Sequence, residues 1–188
     1  KPVQFVSHPL YDNFGDIIGK PVARKKLGLD ENDFIILFFG FIRKYKGLDI
    51  LLDTIPAVVK KIPNTKFLIA GEYYEDRKPY EDQIRQLAIH DHLVLCTDFI
   101  PDSEVKNYFS AADMVVQPYR SATQSGVTPL AYHFEVPMVV TNVGGLAAMV
   151  PDGRVGLVAE PHADAVAEKI IEMHASGPQN FIKAIQEE

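Results

Sequence analysis

The segment 40–47 has residue types that bind phosphate. It reads Gly40-Phe-Ile-Arg-Lys-Tyr-Lys-Gly47, so three cations lie between two glycines. Glycine lets the backbone approach a ligand closely, and Lys or Arg supplies the positive charge that a diphosphate needs. An apolar run precedes the segment and a helical pattern follows it, so the unpaired N–H groups of a helix start lie nearby. The segment matches neither the Walker pattern nor the GxGxxG dinucleotide fingerprint, and a solvated basic turn is the simpler alternative.

A second candidate segment, 117–128, leads into a helical pattern. It reads Gln117-Pro-Tyr-Arg-Ser-Ala-Thr-Gln-Ser-Gly-Val-Thr128, with Pro129 next. Side-chain oxygens cap helix starts and Pro is favoured in the first turn, so the pattern predicts outward N–H groups that hold a phosphate. The alternative is a capped helix that only covers the sheet. A third segment, Thr141–Leu146, contains paired glycines and either approaches a ligand or forms a tight turn.

Other kinds of site find less support in the sequence. No two histidines have helical metal-ligand spacing with a carboxylate between them, and there is no GxSxG nucleophile elbow, so neither a metal site nor a serine nucleophile is predicted. Cys96 ends an apolar run and is interpreted as a small core residue. His133 is interpreted as a packed core residue of an apolar helix. Loop or surface positions are expected for His8, His90, His92, His162 and His174.

The elements that must position these segments alternate along the chain. Short apolar runs rich in β-branched residues are followed by amphipathic stretches about six times, which predicts a doubly wound α/β fold: a Rossmann-like parallel sheet of about six strands with helices on both faces. Ligands in such sheets bind outside the carboxyl ends of the strands, so the candidate segments share one edge. The predicted strands are Phe34–Gly40, Lys66–Gly71, His92–Cys96, Asp113–Gln117, Met138–Thr141 and Gly156–Ala159, and the predicted helices are Leu48–Ile62, Tyr80–Ile89, Ser103–Ala111, Val127–Phe134 and Ala163–His174.

The sequence before Phe34 has a different character. Val3–Val6 has the pattern of a short strand, Pro9–Gly19 is irregular, and Ala23–Leu27 is predicted to form one or two helical turns ended by Gly28. We therefore divide the chain into an interdomain linker over residues 1–30 and one Rossmann-like domain over residues 31–188.

Composition limits the function classes. The chain has 188 residues, 19 Lys and Arg against 25 Asp and Glu, a net charge of −6 and a single cysteine. This balance argues against a nucleic-acid partner, and one cysteine allows no internal disulfide and suits the cytoplasm. The longest apolar run, Phe34–Ile42, is shorter than the roughly 20 residues that span a bilayer, so no transmembrane segment is expected. The chain begins at a lysine and is interpreted as a fragment of a longer protein.

The order of motifs resembles the C-terminal domain of family 4 glycosyltransferases, which are retaining enzymes of the GT-B fold. The resemblance covers the chain from about Phe34 to His174, and the stretch Val6–Gly28 is similar to the family's interdomain linker. The motifs are Gly40 with Lys46-Gly-Leu-Asp-Ile-Leu-Leu52, Phe67-Leu-Ile-Ala-Gly-Glu72, Phe99-Ile-Pro-Asp102, Ala111-Ala-Asp-Met-Val-Val-Gln-Pro118 and Val136-Pro-Met-Val-Val-Thr-Asn-Val-Gly-Gly145.

This resemblance implies that the chain is the half of the enzyme that binds the nucleotide-diphosphate sugar. Lys46 would contact the diphosphate, Ile100-Pro101 the base, and the amides of the 125–127 segment the distal phosphate as charge develops on the leaving group. The absent N-terminal half would hold the acceptor, which is a sugar, a lipid-linked glycan or another small molecule, and no further cofactor or metal is expected. The donor-binding residues expected from the resemblance are Gly40, Phe41, Glu72, Ile100, Pro101, Ser125, Gly126, Val127 and Thr128.

The sequence departs from the family pattern at several positions. The family's arginine after the first glycine is Phe41 here, and Arg43 is expected to reach the same space from the next turn. Counting back from Pro137 without gaps places the family's two glutamates at Ala122 and Leu130, neither of which accepts a hydrogen bond through its side chain. Gln124, with Ser125, is expected to replace the sugar contact, whereas Glu135 falls at the far helix end and Ala148 replaces a further acidic residue.

Two functions therefore stay open from the sequence. The first is an active retaining hexosyltransferase with Lys46, Arg43 and Gln124 as catalytic residues, inactive as the isolated fragment and cytoplasmic, with peripheral membrane association of the full-length protein as a further option. The second is a degenerate domain that binds a nucleotide or a protein partner without turnover. A sugar-nucleotide epimerase of the same fold would give an isomer or free sugar without acceptor. A flavodoxin-like or response-regulator-like module is disfavoured because the acidic phosphoacceptor cluster is not found.

Overall fold

The computed structural model describes residues 12–187, which form a six-stranded parallel sheet in the order β3-β2-β1-β4-β5-β6. This confirms the predicted α/β, doubly wound fold. The predicted strand at Val3–Val6 lies outside the described residues, as does His8. The strands are β1 (Phe34–Phe39), β2 (Thr65–Ala70), β3 (Leu93–Cys96), β4 (Met114–Gln117), β5 (Met138–Thr141) and β6 (Gly156–Ala159).

The central strands are buried because both faces of the sheet are covered. β1 reads Phe-Ile-Ile-Leu-Phe-Phe and is buried from Phe34 to Phe38, as expected for a strand without a solvent-facing side. It pairs with β2 along its full length and with β4 on its other side. Phe38, Phe67 and Phe109 are among the largest fully buried side chains, so the core lies on both faces of β1 and β2.

Seven α-helices lie in the described part of the chain, and one of them was not expected from the sequence. The unpredicted helix is α7, in which Phe181 and Ile185 are buried at a spacing of four. Helix α2 carries Pro56 on an exposed position and continues through it, so the proline does not end the helix. The helices are α1 (Lys20–Leu27), α2 (Leu48–Lys61), α3 (Lys78–Leu87), α4 (Asp102–Ala111), α5 (Val127–His133), α6 (Ala163–Ser176) and α7 (Gln179–Glu187).

The helix that precedes the sheet is pinned to it by a buried arginine. Arg24 is only 4% exposed, and its guanidinium donates to the backbone oxygens of Ala111 and Glu31 at 3.1 and 2.6 Å and to the Asp113 carboxylate at 2.7 Å. Asp113 also accepts from the amide of Ile35 at the start of β1. Helix α1 is therefore packed against the amino edge of the sheet.

The expectation that Cys96 is a core residue is wrong. Cys96 lies on β3, which is the outermost strand beside β2, and its side chain is half-buried. Leu95 on the same strand is 47% exposed. An edge strand has a neighbour on one side only, so an apolar run of this length does not guarantee burial. Among residues 12–187, no helix is both long and apolar enough to cross a membrane.

Candidate functional site

The loops after β1 and β4 meet where the strand order reverses direction, which is the usual ligand position in this fold. Their backbones are in close contact. A Cβ atom at Gly47 would stand 1.9 Å from the carbonyl oxygen of Pro118, and Gly47 has a φ of +68°. A Cβ at Gly71, after β2, would stand 2.2 Å from the carbonyl oxygen of Gly40. Only glycine fits at these two positions, because any side chain would push the loops apart.

Lys46 occupies the centre of this junction. It ends a 3-10 turn over Lys44–Lys46, and its ammonium approaches Gly40 so closely that a Cβ there would lie 2.7 Å from Nζ. The same nitrogen lies 5.8 Å from the centre of the Tyr119 ring. Burial, and to a smaller extent repulsion from Arg43, lower the pKa of Lys46 to about 8. No carboxylate among the described residues offsets this shift, so Lys46 is a desolvated cation without a counterion.

Arg43 is close enough to Lys46 to lower its pKa, and its guanidinium also lies against an aromatic ring. Its guanidinium carbon lies 4.9 Å from the centre of the Tyr74 ring, beyond the end of β2. Phe41 packs its ring against Tyr74 with centroids 4.3 Å apart. Phe41 and Arg43 therefore contact the same ring, and the expectation that Arg43 reaches the space of Phe41 from the next turn stays a prediction.

A buried polar network supports the loop after β4, and the sequence analysis missed it. Ser125 donates its hydroxyl to Gln117 Oε1 at 2.6 Å, and the Tyr119 hydroxyl lies 3.3 Å from Ser125 Oγ. The Gln117 amide nitrogen donates to Thr128 Oγ1 at 3.1 Å, and Thr141 donates to the Tyr119 carbonyl at 2.6 Å. A polar Gln at the end of a buried strand was the available signal, because such a side chain needs partners inside the protein.

The start of α5 differs from the expected row of outward N–H groups. The Val127 amide donates to Ser125 Oγ at 3.2 Å, so this N–H is already used within the protein. Thr128 is fully buried, and its hydroxyl is bonded to Gln117. Gln124 and Gly126, in contrast, are exposed. Of the predicted residues in this loop, Gln124 and Gly126 therefore face solvent while Val127 and Thr128 support the loop from inside.

An open cleft of about 620 Å³ lies between the loops after β4 and β5. Gln124 and Arg120 line it, and Arg120 forms an ion pair with Asp49 at the start of α2. Ala122 also lines the cleft, whereas Leu130 is 6% exposed and belongs to the core. The two positions expected to match the family's glutamates thus have different surroundings. Ala122 faces the cleft, and Leu130 on α5 is packed in the core.

The remaining predicted donor residues lie farther along the same edge. Glu72 follows β2, is half-buried, and accepts the Ile42 amide at its backbone oxygen at 2.8 Å. Ile100 is half-buried and Pro101 is exposed just before α4, at the end of edge strand β3. The strand order therefore spreads the predicted residues from β3 across β2 and β1 to β4 in one row.

The side chains of the described residues form no candidate metal centre. Within residues 12–187, no three His, Cys, Asp or Glu side chains converge on one point. His133 is half-buried rather than fully packed, with Nε2 2.9 Å from the Gly15 carbonyl oxygen.

A further cavity of about 540 Å³ lies at the opposite edge, between Phe34, Asp113 and Pro137 at the amino ends of the strands. It is therefore separate from the glycine-rich junction around Lys46.

Comparison with known proteins gives consistent matches. A family model described as glycosyl transferases group 1 matches residues 33–176. D-inositol 3-phosphate glycosyltransferase of Segniliparus rotundus is 29% identical over 147 residues, which is 77% of this chain and 32% of that protein. The chain thus spans about a third of the length of this curated relative.

Two solved structures share the fold. The C-terminal domain of LpcC, a glycosyl transferase group 1 family protein of Francisella tularensis, superposes with a TM-score of 0.77 at 19% identity, covering 93% of this chain and 91% of that domain. Anabaena HepE, solved in complex with UDP and glucose, superposes with a TM-score of 0.73 at 21% identity, covering 89% of this chain and 45% of that protein. At these identities the likeness establishes the fold alone.

Proposed function

This chain belongs to the family of group 1 glycosyl transferases, and on that premise we propose that it binds the nucleotide-diphosphate sugar donor of a retaining transferase. Residues 31–188 would be the donor-binding half and residues 1–30 the connection to an acceptor-binding half. The observation that carries the proposal is Lys46, a desolvated ammonium without a counterion at the strand-order reversal. The solved complex of Anabaena HepE with UDP and glucose supports a donor of this class.

Lys46 has the properties that diphosphate binding requires. Its pKa of about 8 leaves it largely protonated at pH 7, and the cost of its burial is recovered when an anion arrives. The positive φ of Gly40 and the absence of its Cβ leave room for a phosphate beside Nζ. In the reaction, the bond from the anomeric carbon to the phosphate oxygen breaks and negative charge grows on the leaving diphosphate. Lys46 stabilises that charge, which lowers the barrier.

The sugar would lie in the cleft between the loops after β4 and β5. Gln124 and Thr123 line it together with Ser121, and their amide and hydroxyl groups can both donate to and accept from sugar hydroxyls. Ala122 lies in the same wall, where the family has a glutamate, so Gln124 would supply the sugar contact instead. The isolated chain would bind the donor but transfer nothing, because the acceptor half is required for turnover.

A second function is favoured by one observation, the absence of a carboxylate at Ala122 and Leu130. Leu130 is packed in the core, so no rearrangement of α5 side chains restores an acid there. A domain of this kind would bind the nucleotide and never turn it over. A product assay on the full-length protein distinguishes the two, since the transferase consumes donor when acceptor is present and the binding domain consumes none. An epimerase of the same fold would form an isomer without acceptor.

Calorimetric titration of the purified chain with UDP, GDP, ADP and their sugar derivatives tests the proposal. We expect at least one nucleotide to bind and Lys46→Ala to weaken it by about 1.5–3 kcal/mol, the range for a hydrogen bond to a charged group. Lys44→Ala is the matched control, because Lys44 lies two residues away and its side chain is exposed. A folded chain that binds none of these ligands, or equal losses in both variants, would contradict the proposal.

A further inference from the structure

Two exposed aromatic rings stand side by side at the carboxyl ends of β1 and β2. Phe41 is 45% exposed and Tyr74 is 53% exposed, and their ring centroids are 4.3 Å apart at an interplanar angle of 50°. Phe41 directly follows Gly40, the glycine beside Lys46. Large apolar side chains left open to water in a contiguous patch commonly mark a binding surface.

Arg43 extends this surface. Its guanidinium carbon lies 4.9 Å from the centre of the Tyr74 ring, within the range of a cation–π contact. We call Phe41, Arg43 and Tyr74 the aromatic ledge. Arginine presents a flat, weakly hydrated face, so the ledge offers three planar groups that other planar groups can stack on.

The backbone under the aromatic ledge is held in place. The Ile42 amide donates to the Glu72 carbonyl at 2.8 Å, and the Tyr74 amide donates back to the Ile42 carbonyl at 3.1 Å. The Lys44 amide donates to the Glu75 carboxylate. These bonds continue the β1–β2 pairing beyond the strands, so the rings are carried on an ordered backbone and less entropy is lost when a ligand binds.

We propose that the aromatic ledge is a stacking surface for the aromatic base of the nucleotide whose diphosphate lies at Lys46. The inference rests on the proposed function and adds the residues that hold the base. Neighbouring strands are about 4.8 Å apart, so the end of β2 is one strand spacing from the phosphate position at the end of β1. A nucleoside diphosphate joins a planar base to a dianionic group over a short linker, and the ledge and Lys46 present the complementary pair of surfaces.

Stacking also limits how well the aromatic ledge can distinguish one nucleobase from another. Every nucleobase has a π face, so aromatic side chains bind bases with little preference between them. The ledge would therefore add affinity for the nucleoside without choosing the base. Choice of base would fall to hydrogen-bonding groups elsewhere on the edge, such as those of the loop after β3.

The test compares a ligand that has a base with one that lacks it. UDP, GDP and ADP are titrated into the chain and into Tyr74→Leu, and inorganic diphosphate is titrated into both. We expect Tyr74→Leu to weaken the tightest nucleotide by about 5- to 150-fold, the range for loss of one stacked base, and to leave inorganic diphosphate unchanged. Tyr74→Phe keeps the ring and should retain the wild-type affinity for both ligands.

Two controls separate this inference from a folding defect and from the proposed function. Val22→Ala removes another exposed apolar side chain, 55% exposed on α1, and should change neither affinity. Since the chain has 8 tyrosines and no tryptophan, nucleotide binding should also quench tyrosine emission less in Tyr74→Phe than in the wild type. The inference is wrong if Tyr74→Leu leaves the affinities for nucleotide and for diphosphate unchanged, as it would if the ledge packs against another part of the full-length protein. It is also wrong if Tyr74→Leu weakens both affinities equally. In either case the proposal that the chain binds a nucleotide still stands. A folded chain that binds no nucleotide overturns both proposals.

Discussion

Nucleotide affinity should fall as the pH rises through the pKa of Lys46. The free ammonium has a pKa lowered to about 8, chiefly by burial and then by repulsion from Arg43. A bound diphosphate favours the charged form, so the pKa rises in the complex and binding takes up a proton above pH 8. If only the protonated form binds, the competent fraction falls from about 76% at pH 7.5 to about 3% at pH 9.5 for a pKa near 8. The dissociation constant should therefore rise about 25-fold, or roughly 1.9 kcal/mol.

Calorimetry in two buffers of different ionisation enthalpy measures both the affinity and the proton uptake. The range begins at pH 7.5 because the terminal phosphate of the nucleotide titrates near pH 6. Uptake of about half a proton per nucleotide is expected at pH 8, the midpoint of the free lysine. Lys46→Arg is the matched control, since a guanidinium stays charged across this range and should give a flat profile. A flat profile in the wild type, or the same fall in Lys46→Arg, would refute the assignment of Lys46 to the diphosphate.

Three further predictions concern stability. The pKa of Lys46 is lowered in the folded state, so its charged form destabilises the fold, and this cost disappears as the pH rises from about 8 to 10.5. Lys46→Met should therefore raise the free energy of unfolding at pH 7. Urea titration should show this gain becoming smaller between pH 8 and 10.5. Gln117→Leu leaves the hydroxyl of Ser125 without its acceptor and should cost about 1–3 kcal/mol in the same urea assay; an unchanged midpoint would show that the network contributes nothing. Gly47→Ala places a Cβ 1.9 Å from a backbone oxygen of the loop after β4 and should lower both the midpoint of thermal unfolding and the affinity for nucleotide. Gly126→Ala is the control, since a Cβ there meets open space, and it should change the unfolding midpoint far less. Equal shifts of the midpoint in the two variants would contradict the close contact of the two loops.

The alternation of apolar runs and amphipathic stretches was sufficient to predict the fold class and all six strands, with ends that differ by one residue or none. These signals are local: a strand that is buried on both faces, such as β1, needs a continuous apolar run, and this holds whichever strands pair with it. Helix α7 had a readable signal in the spacing of Phe181 and Ile185, which the sequence analysis did not use. Cys96 was misplaced because a strand's position at the sheet edge is a property of the strand order.

For the candidate site too, some features follow from the sequence and others depend on the tertiary structure. By itself the sequence determined that Lys46 and the glycines of the first loop lie at the carboxyl end of a parallel strand, because chain order and crossover handedness require it. The tertiary structure alone decided that Arg43 turns to Tyr74, that Gln117 holds Ser125, and that Lys46 lies beside Gly40 without a counterion. Each of these depends on groups brought together by folding, and the energies of burial and hydrogen bonding are set by those neighbours rather than by residue type.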